Sequence, residues 1–441
     1  MRYALLKAQA RKQKYLTQIN KFTYESDDTL SSDNEDELSE KIVGDILNNR
    51  YICLKYLGKG TFSTVWLVYD ICEDEFKVAK HHTENNFEES KNEIKVLNTL
   101  NKDMNDHIIR FYEYFYYEKY GNKYGVIILE LLGISLLDII NDYNTLNLNE
   151  LCIKRILSNI LKGFKTIHEH GFIHADLKPE NILLTLLPSK IEYIIEEIRK
   201  LNPQLILQTT IEKYTPDNLY SVDKNKRKFI KRKLKLKSYN YLRNCIILKV
   251  NECNDHFCET HLYNTEAFIN GDFKCKVIDF GNAEHIDSIS QSELYLRIYR
   301  PPENIMSNNY TTKADIWVIG CIFYEIITGT SLFEINRNLN NNQKNRDHLY
   351  QMFNVFGSIN QNSIDSCDFY DEFFNYKGKL EMKHIEKRSI LPLSQTLNEN
   401  SIISDTNFNN KLYELLNIMF EYNTNMRPDA YTLLNLPIFN E

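Results

Sequence analysis

Two short segments that lie far apart in this chain must meet in space if they are to act together. Residues 174–181 read H-A-D-L-K-P-E-N, and residues 279–281 read D-F-G. The first places Asp176, Lys178 and Asn181 on one loop, and the second places Asp279 on another. Together they supply an acid to accept a hydroxyl proton and a lysine to neutralise charge on a moving phosphoryl group. They also supply an amide and a second acid to hold Mg²⁺ through oxygen, the donor a hard cation prefers. Only a fold that brings both loops to one cleft can use this set.

Further parts lie upstream. Residues 57–65 read L-G-K-G-T-F-S-T-V within a strand–turn–strand pattern. Gly58 and Gly60 let the backbone fold closely over ATP phosphates, with Leu57, Lys59, Thr61, Phe62, Ser63, Thr64 and Val65 completing the loop. Ser63 stands where a third glycine is usual, and Val65 is placed to cover an adenine ring. Alone, a G-x-G is a turn signal and nothing more. Lys80 follows Val78-Ala79 on an expected strand and is read as the partner of the α- and β-phosphates. Glu93, thirteen residues on in a helix, is read as the group that orients Lys80, with Glu89 as its rival. An apolar strand, Val126–Glu130, leads into a hinge at 131–133, where Glu130 and Leu132 complete the expected ATP contacts. Asp176 needs no raised pKa, because phosphoryl transfer depends mainly on positioning and electrostatics. His174 is read as a packed structural histidine. These parts stand in the order found in protein kinases.

Composition narrows the class. The nine cysteines are odd in number and scattered, which argues against a disulfide framework and for a reducing compartment. No long uncharged apolar run is present; 316–327 carries Gly320 and Glu325 and reads as a buried helix, so no membrane span is expected. The formal charge of −7 hides three blocks. Residues 1–24 carry six Lys/Arg and no acid, 25–40 carry eight acids and no base, and 222–237 carry nine Lys/Arg against Asp223. The remaining body is acidic and suits a basic partner. Residues 1–24 have the charge pattern of a mitochondrial presequence but are poor in serine, and are read as a local helix or tail. Residues 1–40 as a whole are expected to be a disordered tail.

The expected organisation is a small lobe over 41–132, a larger lobe over 133–184 and 274–441, and an insertion over 185–273. Strands are expected from Tyr51 through the glycine turn and over Phe76–Lys80, and helices over 88–100 and 149–170. The Asn-rich run 336–345 is read as a loop. Cys253, His256, Cys258 and His261 are all legitimate zinc ligands, but they lie closer together than common structural sites space them. They are read as incidental residues in preference to zinc.

Several segments resemble the SR-protein kinases of the CMGC group, over about residues 40–440. These are K-I-V-G-D-I-L-N-N-R-Y (41–51), F-S-T-V-W (62–66), D-F-G-N-A (279–283), F-F-N-Y-K-G-K-L (373–380), and an insertion where that family carries its spacer. The resemblance implies an α+β, two-lobed protein-kinase fold, with a β-rich N-lobe, a helical C-lobe and ATP between them. It implies a monomer that uses ATP and Mg²⁺ to phosphorylate serines of Arg/Ser-rich splicing factors. It implies activity without activation-loop phosphorylation, consistent with Ala175 standing where a phosphate-reading arginine is usual. It also implies cytoplasmic and nuclear residence, and the run at 224–237 reads equally as an import signal. Glu303 and Arg427 should form a buried ion pair, and Asp315 should brace the catalytic loop. Direct nucleic-acid binding is not expected, since the run lacks aromatic platforms beyond Phe229.

The sequence also departs from that family. Its docking groove uses two acids seven residues apart; Asp347 matches the first, but Asn354 replaces the second, so docking should be weaker or arranged differently. Leu129 replaces an aromatic at the back of the ATP pocket. R-P-P-E (300–303) and D-H-L-Y-Q-M (347–352) lean toward the LAMMER dual-specificity kinases, the alternative reading. A pseudokinase scaffold is disfavoured by the intact Lys80, Glu93, Asp176, Asn181 and Asp279.

Overall fold

In a computed structural model the described residues are 42–60, 63–82, 87–119, 122–141, 148–256, 263–289, 294–307, 310–359, 368–383, 385 and 387–440. The expectations for 1–40, Thr61, Phe62, Glu89, Cys258 and His261 lie outside what is described, as does the His256 side chain. An antiparallel sheet forms the smaller lobe from β1 (Ile46–Leu47), β2 (Tyr51–Gly60), β3 (Ser63–Asp70), β4 (Glu75–His82), β5 (Phe111–Lys119) and β6 (Asn122–Glu130). Their spatial order is β1-β2-β3-β4-β6-β5. Helix α1 (Phe87–Leu100) crosses between β4 and β5.

Alternation with period two gives the sheet two apolar faces. Trp66, Val68, Ala79, Val126 and Ile128 point to one side, where they pack with Ile42 and Leu47. On the other side Val78, Ile127 and Leu129 join the main core with Val96, Leu97 and Leu100 of α1. Ile52, Leu54, Leu67 and Tyr69 belong to a separate cluster on that same side. A face this apolar must be covered, and the cover comes from the insertion.

The larger lobe is built on α2 (Leu136–Asn141) and α3 (Glu150–Glu169). Asn149 caps α3 by accepting from the Cys152 N–H at 2.8 Å. Cys152, Ile153, Ile156, Leu157, Ile160, Phe164 and Ile167 are buried at helical spacing. Short strands β7 (Phe172–Ile173) and β8 (Ile182–Leu184) flank the catalytic segment. The insertion then folds as α4 (Ser189–Lys200), α5 (Pro203–Tyr214) and α6 (Lys224–His256). Helix α7 (Thr265–Ile269) returns the chain to β9 (Cys275–Val277), which pairs with β8, and β10 (Glu284–His285) pairs with β7. Helix α8 (Lys313–Thr328) is buried from Ala314 to Thr328, which accounts for its unbroken apolar run. It ends at Gly329, with φ +68°, a conformation glycine adopts without steric cost.

Helix α9 (Asn341–Phe356) corrects the loop expected over 336–345. Asn340 accepts from the Gln343 N–H at 3.0 Å, and Gln343 accepts from the Asn340 N–H at 3.0 Å. This capping box turns the second half of the Asn run into the first turn of a helix. Cys253 is also resolved as a core residue: it packs in the cluster formed by the insertion and the sheet, and burial pushes its thiol up. Among the described residues the cysteines are free, and no helix is long and apolar enough to cross a membrane.

The insertion holds its place through Ile191, Ile194, Ile195 and Ile198 of α4 and Leu242, Ile246 and Val250 of α6. Ile246→Ala should therefore cost about 2–5 kcal/mol, read as a lower urea midpoint. Leu248→Ala, on the same helix but 65% exposed, should stay within about 0.5 kcal/mol of the parent.

His348 on α9 is fully buried, its ring 4.7 Å from that of Phe333. Burial, with Arg297 and Arg300 nearby, pushes it from 6.5 down to about 3. Below pH 6.5 the unfolded chain binds a proton that the folded chain refuses, so stability falls as pH drops through this window. His348→Leu should flatten the fall in denaturation midpoint between those two pH values. His82, pushed down to about 4 mainly by burial, leaves a smaller slope of the same sign.

Candidate active site

The strand register assembles one side of the cleft. Gly58 pairs with Val65, Val65 with Lys80, and Lys80 with Ile127, a row across four strands. Period-two geometry then carries Lys80 on the face directed toward α1. Its ammonium donates to both Glu93 carboxylate oxygens at 2.9 Å and to Asp279 Oδ1 at 2.8 Å. Glu93 is thus a helix partner of Lys80. Burial works against the Lys80 charge, but the two carboxylates more than offset it, and its pKa lies above the ordinary lysine value. Lys80 in turn, against the cost of burial, holds the Asp279 carboxyl down at about 2. At neutral pH Asp279 is an anion.

The catalytic segment forms the other side. Asp176 Oδ2 accepts from Lys178 Nζ at 3.1 Å, and the Asn181 amide donates to the Asp176 carbonyl at 2.8 Å. His174 is fully buried. Its Nε2 lies 3.0 Å from the Ile278 carbonyl, which cannot donate, so Nε2 carries the proton. The ring thereby ties the catalytic segment to the strand that precedes Asp279. Asp315, with no exposed surface, accepts from the His174 N–H at 3.0 Å, from His168 Nε2 at 2.9 Å and from the Tyr295 hydroxyl at 2.9 Å. It braces the loop as expected. The Tyr295 N–H donates to the Ala175 carbonyl at 2.9 Å, a second tie from the same residue. Ala175, Asp279 and Tyr295 adopt φ of +65°, +63° and +65°. Such conformations cost a non-glycine residue about 1–3 kcal/mol each and persist where surrounding contacts fix them.

Other expected residues fall into place around this centre. Leu57 and Val65 are partly buried against the main core, and Leu132 is buried within it. The Glu130 carboxylate accepts from Lys276 Nζ at 2.7 and 2.9 Å, so any nucleotide contact at Glu130 falls to its main chain. A Cβ on Gly133 would lie 1.5 Å from the Leu186 carbonyl oxygen, so the hinge cannot admit a side chain there. A Cβ on Gly60 would press the Ser63 hydroxyl at 2.9 Å, whereas at Gly58 it would meet no protein atom. Packing within the chain therefore does not demand glycine at Gly58. Buried Glu303 accepts from both terminal nitrogens of Arg427, at 2.7 and 3.0 Å.

The donor set fits Mg²⁺ and a nucleotide. Asn181 spends its amide nitrogen on Asp176, which fixes Oδ1 as the end available to a cation, and Asp279 is an ionised carboxylate. Lys80 and Lys178 supply the cations that phosphates require.

Three contributors were not legible beforehand. Tyr295 carries no motif. Asn92 donates to the Gly281 and Ala283 carbonyls at 3.0 and 2.9 Å, pinning the D-F-G segment to α1; its position beside Glu93 was the available signal. Arg388 grips Asp347 through two hydrogen bonds of 2.6 and 3.0 Å. The acid matched to a docking groove is buried and already neutralised from within, and Asn354 turns its amide back on the Tyr350 carbonyl at 2.7 Å.

A family model described as "Protein kinase domain" matches residues 51–192 and 264–439 and omits most of the insertion. A Dictyostelium discoideum serine/threonine-protein kinase, clkA, is 28% identical over 362 residues; the match covers 79% of this chain but only 31% of that protein. A Physarum polycephalum serine/threonine-protein kinase, SRPK, is 25% identical over 358 residues, covering 78% of this chain and 75% of that one. A crystal structure of the PF14_0431 kinase domain superposes with a TM-score of 0.60 at 21% identity, covering 90% of this chain and 97% of the other, a likeness of fold.

Tyr295→Phe removes one hydrogen bond to a buried carboxylate and should lower stability by about 1.5–3 kcal/mol in chemical denaturation. In any phosphoryl-transfer assay it should depress kcat and leave KM for ATP near the parent value, because it acts on the catalytic loop and not on the nucleotide loop.

Proposed function

The chain belongs to the protein kinase family, and from that premise we propose that it is an active serine/threonine kinase that moves the γ-phosphate of ATP to serines of Arg/Ser-rich proteins, splicing factors among them. The observation that carries the catalytic part is the Lys80 ammonium held at once by Glu93 and Asp279. In this reading Asp176 orients the substrate hydroxyl and accepts its proton. Lys178, hydrogen-bonded to Asp176, keeps that carboxylate in place and meets charge on the transferring phosphoryl group. Lys80 orients the α- and β-phosphates, and the glycine loop covers them. Asn181 and Asp279 would hold Mg²⁺, which when bound supplies charge neutralisation between the phosphates.

The substrate class rests on the resemblance to SR-protein kinases, a relative named SRPK, and the acidic body outside the charged blocks. Because Asp347 is committed to Arg388, this reading places arginine recognition on other acids of the larger lobe. R-P-P-E (300–303) and D-H-L-Y-Q-M (347–352) favour a second reading as a LAMMER-type dual-specificity kinase, which tyrosine autophosphorylation would support. We propose a monomer that divides its time between cytoplasm and nucleus, with the exposed cations of 224–237 as an import signal.

Phosphate transfer from ATP/Mg²⁺ to an Arg-Ser repeat peptide tests the proposal, beside a matched Lys-Ser peptide and the Asp176→Ala variant. Labelling of serine in the Arg-Ser peptide, weaker on Lys-Ser and reduced at least about a hundredfold in the variant, is expected. Equal labelling of both peptides would remove the substrate class. No labelling of any basic peptide by folded protein would remove the SR-protein reading altogether.

A further inference from the structure

Helix α6 has two unlike halves. From Ser238 onward it presents Tyr239, Leu242, Ile246, Val250 and Cys253 to the sheet. Its first half, Lys224–Lys237, carries nine Lys/Arg, all exposed except half-buried Arg227. They are distributed around the helix instead of forming one stripe. Among the described residues none of the nine lies within 4 Å of a carboxylate oxygen. Lys237 stacks on Tyr214 at 3.2 Å, and Arg227 and Lys231 lie over Tyr220, contacts that leave the charges uncompensated. Like charges at i,i+4 destabilise a helix by a few tenths of a kcal/mol each, so this half of α6 is a surface in need of anions.

The chain contains a matching polyanion. Residues 25–40 carry eight acids and no base. Where the described chain begins, Ile42 is buried against β1 and β2, and a Cβ built on Gly44 would lie 3.5 Å from Ile247 Cγ1. The acidic segment is therefore tethered to the described chain at a point beside α6. Lys237 is ten residues up that helix from Ile247, and Lys224 twenty-three, or about 15 and 35 Å along the axis. Sixteen residues reach about 53 Å when extended. Tethering at this distance gives an effective concentration in the millimolar range, which an untethered anion must exceed to compete.

We propose that the acidic segment 25–40 is the occupant of the basic half of α6, an intramolecular polyelectrolyte contact. It covers the same cations that an import receptor or an acidic partner would read. The spread of charge around the helix suits a single acidic strand better than a rigid groove-fitting duplex.

Two measurements on the full chain test it. In the first, Asp27, Asp28, Asp33, Glu35, Asp36 and Glu37 are changed to the corresponding amides, and binding of a fluorescein-labelled twenty-nucleotide oligo-dT is followed at low salt. The amide variant should bind about tenfold or more tightly than the parent, and reversing Lys231, Arg232, Lys233 and Lys235 to Glu should abolish the gain. Equal affinity of parent and amide variant would overturn the proposal. In the second, carbodiimide cross-linking of mixed isotopically light and heavy chains is read by mass spectrometry, with the Lys249–Glu252 pair, 2.8 Å apart, as internal standard. Links between 25–40 and 224–237 within one chain are expected. Links only between copies, or none while the standard forms, would contradict it.

Discussion

One ammonium group holds the catalytic centre together. Lys80 belongs to the sheet, Glu93 to the helix that crosses it, and Asp279 to the larger lobe, and all three meet within 2.9 Å. A buried lysine is tolerable only if carboxylates compensate it, so each element is held where its charge is needed. The price of misplacing α1 is an uncompensated charge at the core of the cleft. Asn92 adds a second link by tying α1 to the D-F-G backbone, so the position of the helix and the geometry of Asp279 are set together.

A second carboxylate, Asp315, plays the matching role in the larger lobe. It gathers α3 through His168, the catalytic loop through His174 and the chain beyond β10 through Tyr295. The backbone of Ala175 and Tyr295 is held in left-handed conformations by the hydrogen bond between them. A main-chain bond joins Tyr295 to Ala175, and the Tyr295 hydroxyl reaches Asp315. Arg300 reinforces it by donating to the Tyr295 carbonyl at 3.3 Å.

The candidate catalytic residues were legible because phosphoryl transfer restricts which side chains can serve and in what order. Lys80, Glu93, Asp176, Asn181 and Asp279 needed no structure to be nominated. Strand and helix spans were legible from period two and period 3.6, to within a few residues. What stayed hidden was decided by tertiary context. The Asn-rich run read as a loop by composition, yet a single capping box at Asn340 and Gln343 made it a helix start. Asp347 looked available for a partner until Arg388, forty-one residues on, proved to occupy it. The insertion offered no recognisable chemistry; its isoleucines, buried on the sheet face left open by α1, show a structural purpose that only the fold discloses.

We propose that these contacts assemble the catalytic centre before any modification of the chain. Comparing initial rates of peptide phosphorylation by phosphatase-treated and untreated protein tests that claim most directly. A centre held by Lys80, Asp315 and Tyr295 predicts equal rates with no lag after ATP is added. A lag in the treated protein that tracks its autophosphorylation would show that a phosphate, and not these contacts, completes the site.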